Sequence, residues 1–303
     1  MTESELLRKM EINKSTYKKE SRIKECFHPN KNECNGKIKQ AHSIQRNGRL
    51  SIIESEVNGN NKVYTFTSCK SSAKNMMEDL VPIGKKDAST FFGFCDFHDS
   101  TLFSPVENFK FNKSTKHLFL HSYRSYAHSY HRKQEEHKIY NNPESEFLKN
   151  LPNEFVETMK MGLEMGVNDM RKTKKEIDKA LKEENYDFFN YLVYEKDGLY
   201  PFAVSSQISP RVTYRNKPMN NHTNPDEPWS HPLLTFLPDE TTTFVILAVL
   251  PSDKNGNILL NELKELESIE LEKALTSLII ANCENTFFSP KIWEKLNKNQ
   301  KRI

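Results

Sequence analysis

The hydrophobic pattern divides the chain into three stretches. Through about residue 110, short apolar runs are separated by turn residues. Ile38-Lys39-Gln40-Ala41-His42-Ser43-Ile44 reads as a strand. Leu50 to Val57 alternates in part like a second strand, Asn58-Gly59 is a strong hairpin signal, and Lys62 to Thr67 is the expected return. Residues 68–88 read as an irregular insertion with a short strand near Leu80-Val81-Pro82-Ile83. Ahead of these, Leu6, Leu7, Met10 and Ile12 punctuate a charged segment, residues 1–22, that reads as a short helix or arm.

From Thr115 to Tyr140 the pattern is helical and free of Pro and Gly, and Asn142-Pro143 ends it. Residues 144–192 form a second helical stretch, or two helices broken near Gly162 and Gly166, with Arg171 to Glu184 as a solvated run. Farther on, Tyr200 to Ser206 reads as a strand and residues 214–232 as a Pro- and Asn-rich loop. Leu233 to Leu237 and Thr242 to Leu250 then frame an antiparallel hairpin, and Leu259 to Cys283 reads as a helix, with Trp293 docking the tail. Strands and helices are grouped rather than alternating, which predicts an α+β protein. The expected parts are an N-terminal module over 1–110, long central helices over 111–192, and an antiparallel-sheet plus helix domain over 193–303.

Composition fits this outline. The 303 residues are 36% hydrophobic and 28% charged, and 19 Phe with 11 Tyr can fill sizeable cores. No apolar run reaches the ~18–20 residues that span a bilayer, so no membrane partner is expected. The N-terminus has no basic segment followed by an apolar one, so a cytoplasmic location is expected. Charge is uneven: residues 1–140 carry 24 Lys/Arg against 16 Asp/Glu and eight of the ten His, whereas the remainder is net negative. A basic, His-rich first half suits a nucleic-acid partner.

The chemistry-bearing residues cluster in that half. Five cysteines, an odd number, argue against a disulfide framework. Cys69 and Cys283 read as ordinary thiols. Cys26 and Cys34 precede the first strand, and Cys95-Asp96-Phe97-His98 follows the hairpin, so two pairs of soft ligands flank it, as structural zinc requires. His28 is an alternative ligand, and Asn35-Gly36 permits a tight turn after Cys34.

These residues carry a family resemblance. Cys26 and Cys34, then Ala41-His42-Ser43-Ile44, a hairpin, and Phe94-Cys95-Asp96-Phe97-His98-Asp99 resemble the zinc-knuckle HNH endonucleases, which are treble-clef, ββα-metal nucleases. The resemblance covers roughly residues 23–107. It implies zinc on Cys26, Cys34, Cys95 and His98, and His42 as the base that activates water. It further implies Asp99 on a second divalent cation such as Mg²⁺, and Asn47 orienting His42, with Asn58 and Asn60 as alternatives. It also implies a role in bacterial antiviral defence or nucleic-acid handling.

A further feature is the run His117, His121, Arg124, His128, His131 and Glu135, which shares one helix face. His121, Arg124, His128 and His131 would contact phosphates there, with Tyr123, Tyr126 and Tyr130 stacking on bases. Alternatively the face packs inward. His117 and His121 have metal-pair spacing. No phosphate-binding Gly-rich loop, nucleophile elbow or dinucleotide fingerprint is present. Two functions follow: a metal-dependent endonuclease, or a non-catalytic zinc module that scaffolds an α+β half binding a protein or small ligand.

Overall fold

A computed structural model describes residue 13 and residues 15–66, 80–221 and 227–297. Leu6, Leu7, Met10, Ile12, Cys69, most of the 68–88 insertion and residues 222–226 of the Pro-rich loop lie outside the described residues. The fold is α+β, and every strand pairing is antiparallel.

After α1 (15–21), strand β1 (Ile38–His42) pairs with β5 (Thr90–Cys95), setting Ile38 opposite Cys95 and His42 opposite Thr90. Helix α3 (Asp96–Asn108) starts where β5 ends. Between β1 and β5 the chain makes a helical turn at Arg46–Leu50, then α2 (Ser51–Ile53), β2 (Ser55–Val57), β3 (Asn60–Thr65) and β4 (Val81–Gly84). The expected strand from Leu50 therefore begins only at Ser55. Leu50 and Ile53, three apart, both drop into a core with Ile44, Val63 and Phe287, a spacing that a helical turn satisfies and a strand does not. Asn58 and Gly59, both at positive φ, form the hairpin turn.

Helix α4 (Thr115–Tyr140) matches its expected limits. Helix α5 (Asn153–Lys182) runs unbroken through Gly162 and Gly166, because Leu163, Val167, Met170, Ile177 and Leu181 make one buried stripe along it. The helix expected over Leu259 to Cys283 is two, α6 (Lys254–Lys264) and α7 (Ser268–Asn282); Asp253 caps α6 by accepting from the Gly256 N–H at 2.8 Å. The short α8 (Pro290–Trp293) packs Trp293 near Phe288.

One large sheet unites the two ends of the chain. Strands β6 (Asn190–Asp197), β7 (Phe202–Gln207), β8 (Leu233–Pro238), β9 (Thr242–Val249) and β10 (Thr286–Phe288) join the earlier hairpin in the order β2-β3-β10-β7-β8-β9-β6, with β4 on β3. Thr65 of β3 pairs with Phe287 of β10. Asn285 donates from Nδ2 to Ser43 Oγ at 2.8 Å, and Arg49 reaches Asp239 at 2.7 Å. Residues 1–110 therefore share a sheet and polar ties with residues 193–303, and the expected three-part division does not separate them.

Helix α4 runs through the middle of the molecule, against α3, α5, β5, β7 and β8. Ser122, Ser125 and Ser129 lie on one side of it. Ser125 Oγ meets Ser205 Oγ at 2.6 Å and Thr235 Oγ1 at 3.0 Å, and Ser129 Oγ accepts from the Gln207 N–H at 3.1 Å. Small hydroxyl side chains let the helix approach the sheet while satisfying buried donors. Tyr123, Tyr126 and Tyr130 are buried around Phe27, edge to face at 5.5–6.0 Å, so they stack within the core and not on bases. His121, Arg124 and His131 are buried too, and His128 is half-buried. The face expected to contact phosphates is interior, because both sides of α4 are covered by other elements.

Burying imidazoles in this helix makes stability pH-dependent. Burial holds His121 well below its ordinary value and pushes His131 down to about 4. A depressed folded-state value means that the unfolded chain takes up protons first, so stability is lost as pH falls from about 6.5. Urea unfolding should show a loss between pH 7 and pH 5 on the order of 2 kcal/mol per such histidine. His131→Leu should lose less over the same interval; an identical loss in both proteins would contradict this account.

Candidate metal centre and the adjoining histidine

Cys26, Cys34, Cys95 and His98 bring their ligating atoms within 4.8 Å of one another. Two segments deliver them. Residues 23–34 lie alongside β5, with the Phe27 N–H donating to the Gly93 carbonyl. Cys95 caps α3, and His98 sits in its first turn. The turn after Cys34 closes the arrangement: the Asp96 and Phe97 N–H groups donate to the Lys37 and Asn35 carbonyls at 3.0 and 3.2 Å. Gly36 lies in that turn at φ +76, and a Cβ there would stand 2.7 Å from Asp96 Cβ, so both conformation and space require glycine.

The distances fit a tetrahedral ion. His98 Nδ1 lies 3.4 Å from Cys26 Sγ, 3.7 Å from Cys34 Sγ and 3.2 Å from Cys95 Sγ. Bonds of about 2.3 Å to sulfur and about 2.05 Å to nitrogen put nitrogen and sulfur about 3.6 Å apart across a tetrahedral edge. Neutral imidazole nitrogen has one lone pair, and three thiols cannot all donate to it; one cation satisfies all four groups.

The electrostatics agree. Burial raises the Cys95 thiol, but the His98 and Asn35 backbone groups that bond it outweigh this and hold it below its ordinary value. Burial and then the neighbouring Cys26 push Cys34 up to about 11, the repulsion a bound cation would reverse. Burial holds His98 below its ordinary value; its Nε2 is buried without a hydrogen-bond partner, and the Glu33 carboxylate lies 3.8 Å from it. His28 lies outside this group: its ring stacks on that of His98, 3.8 Å between centroids, and its Nδ1 accepts from the Asn30 N–H.

His42 stands at the other end of β1, half-buried. Its Nε2 donates to the Lys85 carbonyl at 3.3 Å, which leaves Nδ1 as the acceptor, and burial lowers its pKa so that the ring is neutral at pH 7. Asn47 is exposed on the Arg46–Leu50 turn and makes no hydrogen bond to His42, so the Lys85 carbonyl orients the ring in its place; Asn58 and Asn60 are occupied in the β2–β3 turn. Asp99, on α3, is raised by burial. It shares with His42 the fields of Arg124 and Glu107. Arg124, buried in α4, bonds Glu107 at 2.5 Å and lies 4.0 Å from the Phe103 ring centroid, and its Nε has no partner. Glu107, two turns beyond Asp99 on α3, was not singled out in the sequence; its spacing from Asp99 and Phe103 is the signal for it. Among the described residues no other group of three ligating side chains converges, so neither Asp99 and His42 nor His117 and His121 form part of a second ready-made metal centre there.

No helix among the described residues is long and apolar enough to cross a membrane. No family model, no curated protein and no solved structure matches the chain.

The purified protein should carry one tightly bound metal ion per chain by elemental analysis. Cys95→Ser should lose both the metal and cooperative unfolding, while His28→Ala should retain the metal. Full metal content in Cys95→Ser would overturn the ligand assignment.

Proposed function

We propose that residues 23–107 are a treble-clef, ββα-metal module holding structural zinc, and that the protein hydrolyses phosphodiesters in nucleic acid with His42 as general base. Three cysteine sulfurs and one imidazole whose ligating atoms converge favour zinc. Zinc binding there would cross-link the segment before β1 to the start of α3, steadying the β1–β5 pair on which His42 sits.

The observation that carries the catalytic reading is the His42 hydrogen bond to the Lys85 carbonyl. It fixes the tautomer so that Nδ1 can take a proton from water, and the ring is neutral at pH 7, as a base must be. The Arg124–Glu107 pair, its arginine buried, acts on the imidazole through its field. Asp99 would supply one carboxylate to a divalent cation such as Mg²⁺, which commonly takes only one or two from protein and the rest from water and phosphate.

His42→Ala should lower cleavage of DNA or RNA about 10²–10⁴-fold in Mg²⁺, Mn²⁺ or Ni²⁺ while retaining zinc and its melting temperature. Because His42 is depressed, the rate should hold at pH 7 and fall only below the ordinary histidine value of 6.5. Equal cleavage by wild type and His42→Ala would sink the reading. A second reading, ligand binding by the α+β half, is favoured by a cavity that neither the metal ligands nor His42 line.

A further inference from the structure

One face of α5 leaves apolar side chains in solvent. Phe155 is 47% exposed, Met161 64% and Met165 40%, whereas Leu163, Val167 and Met170 of the same helix are buried. Helical spacing puts Phe155, Met161, Gly162 and Met165 within about 120° of one another, on the side away from the buried stripe. Single exposed apolar residues are ordinary, but a group on one face marks a contact surface.

Beside this face lies a cavity of about 590 Å³, walled by α4, α5, the end of β7, the segment before β8 and the end of α7. Gly162, Met165 and Gly166 line it from α5, and Trp229, 37% exposed, lines it from the segment before β8. Met165 belongs to both, so the apolar face runs on into the cavity. A Cβ at Gly162 would meet nothing within 4 Å, and one at Gly166 would meet only Lys133, at 3.8 Å. Packing within the chain therefore requires neither glycine, although each weakens the helix relative to alanine; together they let another backbone come close.

The charge around this surface is acidic. From Asn153 to Met170, α5 carries Glu154, Glu157, Glu164 and Asp169 against Lys160. Glu136, Glu227 and Glu284 line the cavity as well. Its two cations are already matched, Arg132 with Glu135 at 2.7 Å and Lys133 with Glu136 at 3.6 Å. Glu164 meets His137 and Asp169 meets Lys172. Glu154, Glu157, Glu227 and Glu284 make no ion pair among the described residues. An apolar strip with carboxylates around it fits an apolar strip flanked by cations. A second copy of the chain does not supply one. Pairing the face with itself sets like charges together, and the basic half of α5, from Arg171 to Lys182, exposes no large apolar side chain among the described residues.

We infer that this face binds a basic amphipathic helix of another protein. The helix lays its apolar side on Phe155, Met161, Met165 and Trp229 and sets its lysines and arginines over the carboxylates. Neither the metal ligands nor His42 line the cavity, and the inference does not rest on the proposed hydrolysis.

The test is an anisotropy titration of the intact, metal-loaded protein with a fluorescent peptide of about 18 residues, leucine on one helical face and lysine elsewhere. It should bind with Kd below about 10 μM, at least about tenfold more tightly than a peptide with glutamate in place of lysine, or one of the same composition with no apolar face. Met161→Ser combined with Met165→Ser should weaken binding about tenfold or more without lowering Tm, because both side chains are exposed. Ile269→Ser, on α7 and 70% exposed, should bind like wild type. The inference is overturned if the leucine–lysine peptide does not bind, if either control peptide binds as tightly, if the double serine variant binds like wild type, or if Ile269→Ser loses as much. It is also overturned if sedimentation shows the free protein to be a dimer that the serine substitutions dissociate, since the face would then be a self-interface.

Discussion

Four ligand-type side chains, Cys26, Cys34, Cys95 and His98, converge where the segment before β1 meets the start of α3, and a cation there would cross-link the two. The segment that holds Cys26 and Cys34 has little regular structure of its own, only a three-residue turn at Lys31–Glu33 and backbone bonds to β5. Without a cation, three thiols crowd one imidazole nitrogen, and Cys34 resists ionisation. With one, the segment is tied to the start of α3. The consequence reaches beyond the site, because Phe27, next to Cys26, is the ring around which Tyr123, Tyr126 and Tyr130 of α4 are arranged. Lys174 of α5 lies over the same ring at 4.2 Å, so the ligand segment also fixes how α5 meets α4.

Helix α4 is the second organising element, and its composition conceals its role. A run of His, Ser, Tyr and Arg reads as a polar surface, yet almost the whole middle of the helix is buried. Many of its polar groups have a particular neighbour, although His117 Nδ1, the Tyr123 hydroxyl, Arg124 Nε and His131 Nε2 are buried without a hydrogen-bond partner. The serines meet strand hydroxyls and amides, Arg124 meets Glu107, and the histidines stay neutral. Arg124 then ties the helix to α3 through Glu107, while His128 opens onto the cavity shared with α5.

Much of this was legible in the sequence. The ligand set, the His42 strand, the Asn58-Gly59 turn, the limits of α4 and the β8–β9 hairpin follow from spacing and turn chemistry. What was not legible arises from tertiary pairing. Nothing local announces that Phe287 will lie beside Thr65 and join the two ends of the chain in one sheet. The three-residue β10 is too short to show a period. Strand β6 follows the α5 helix so closely that its first residues, Asn190 to Leu192, fell inside the expected helical stretch. Spacing leaves His28 open as an alternative to Cys34, and the structure brings Cys34, not His28, into the converging group. The inward face of α4 carries the same 3-4 spacing as an outward one, and only its partners decide the direction.

The metal cross-link is the claim on which the remainder stands, and X-ray absorption at the zinc edge of the purified protein tests it most directly. The account predicts a four-coordinate first shell of three sulfurs at about 2.3 Å and one imidazole nitrogen at about 2.0–2.1 Å. A shell of oxygen and nitrogen alone, a shell with two imidazoles, or the absence of bound metal would contradict it.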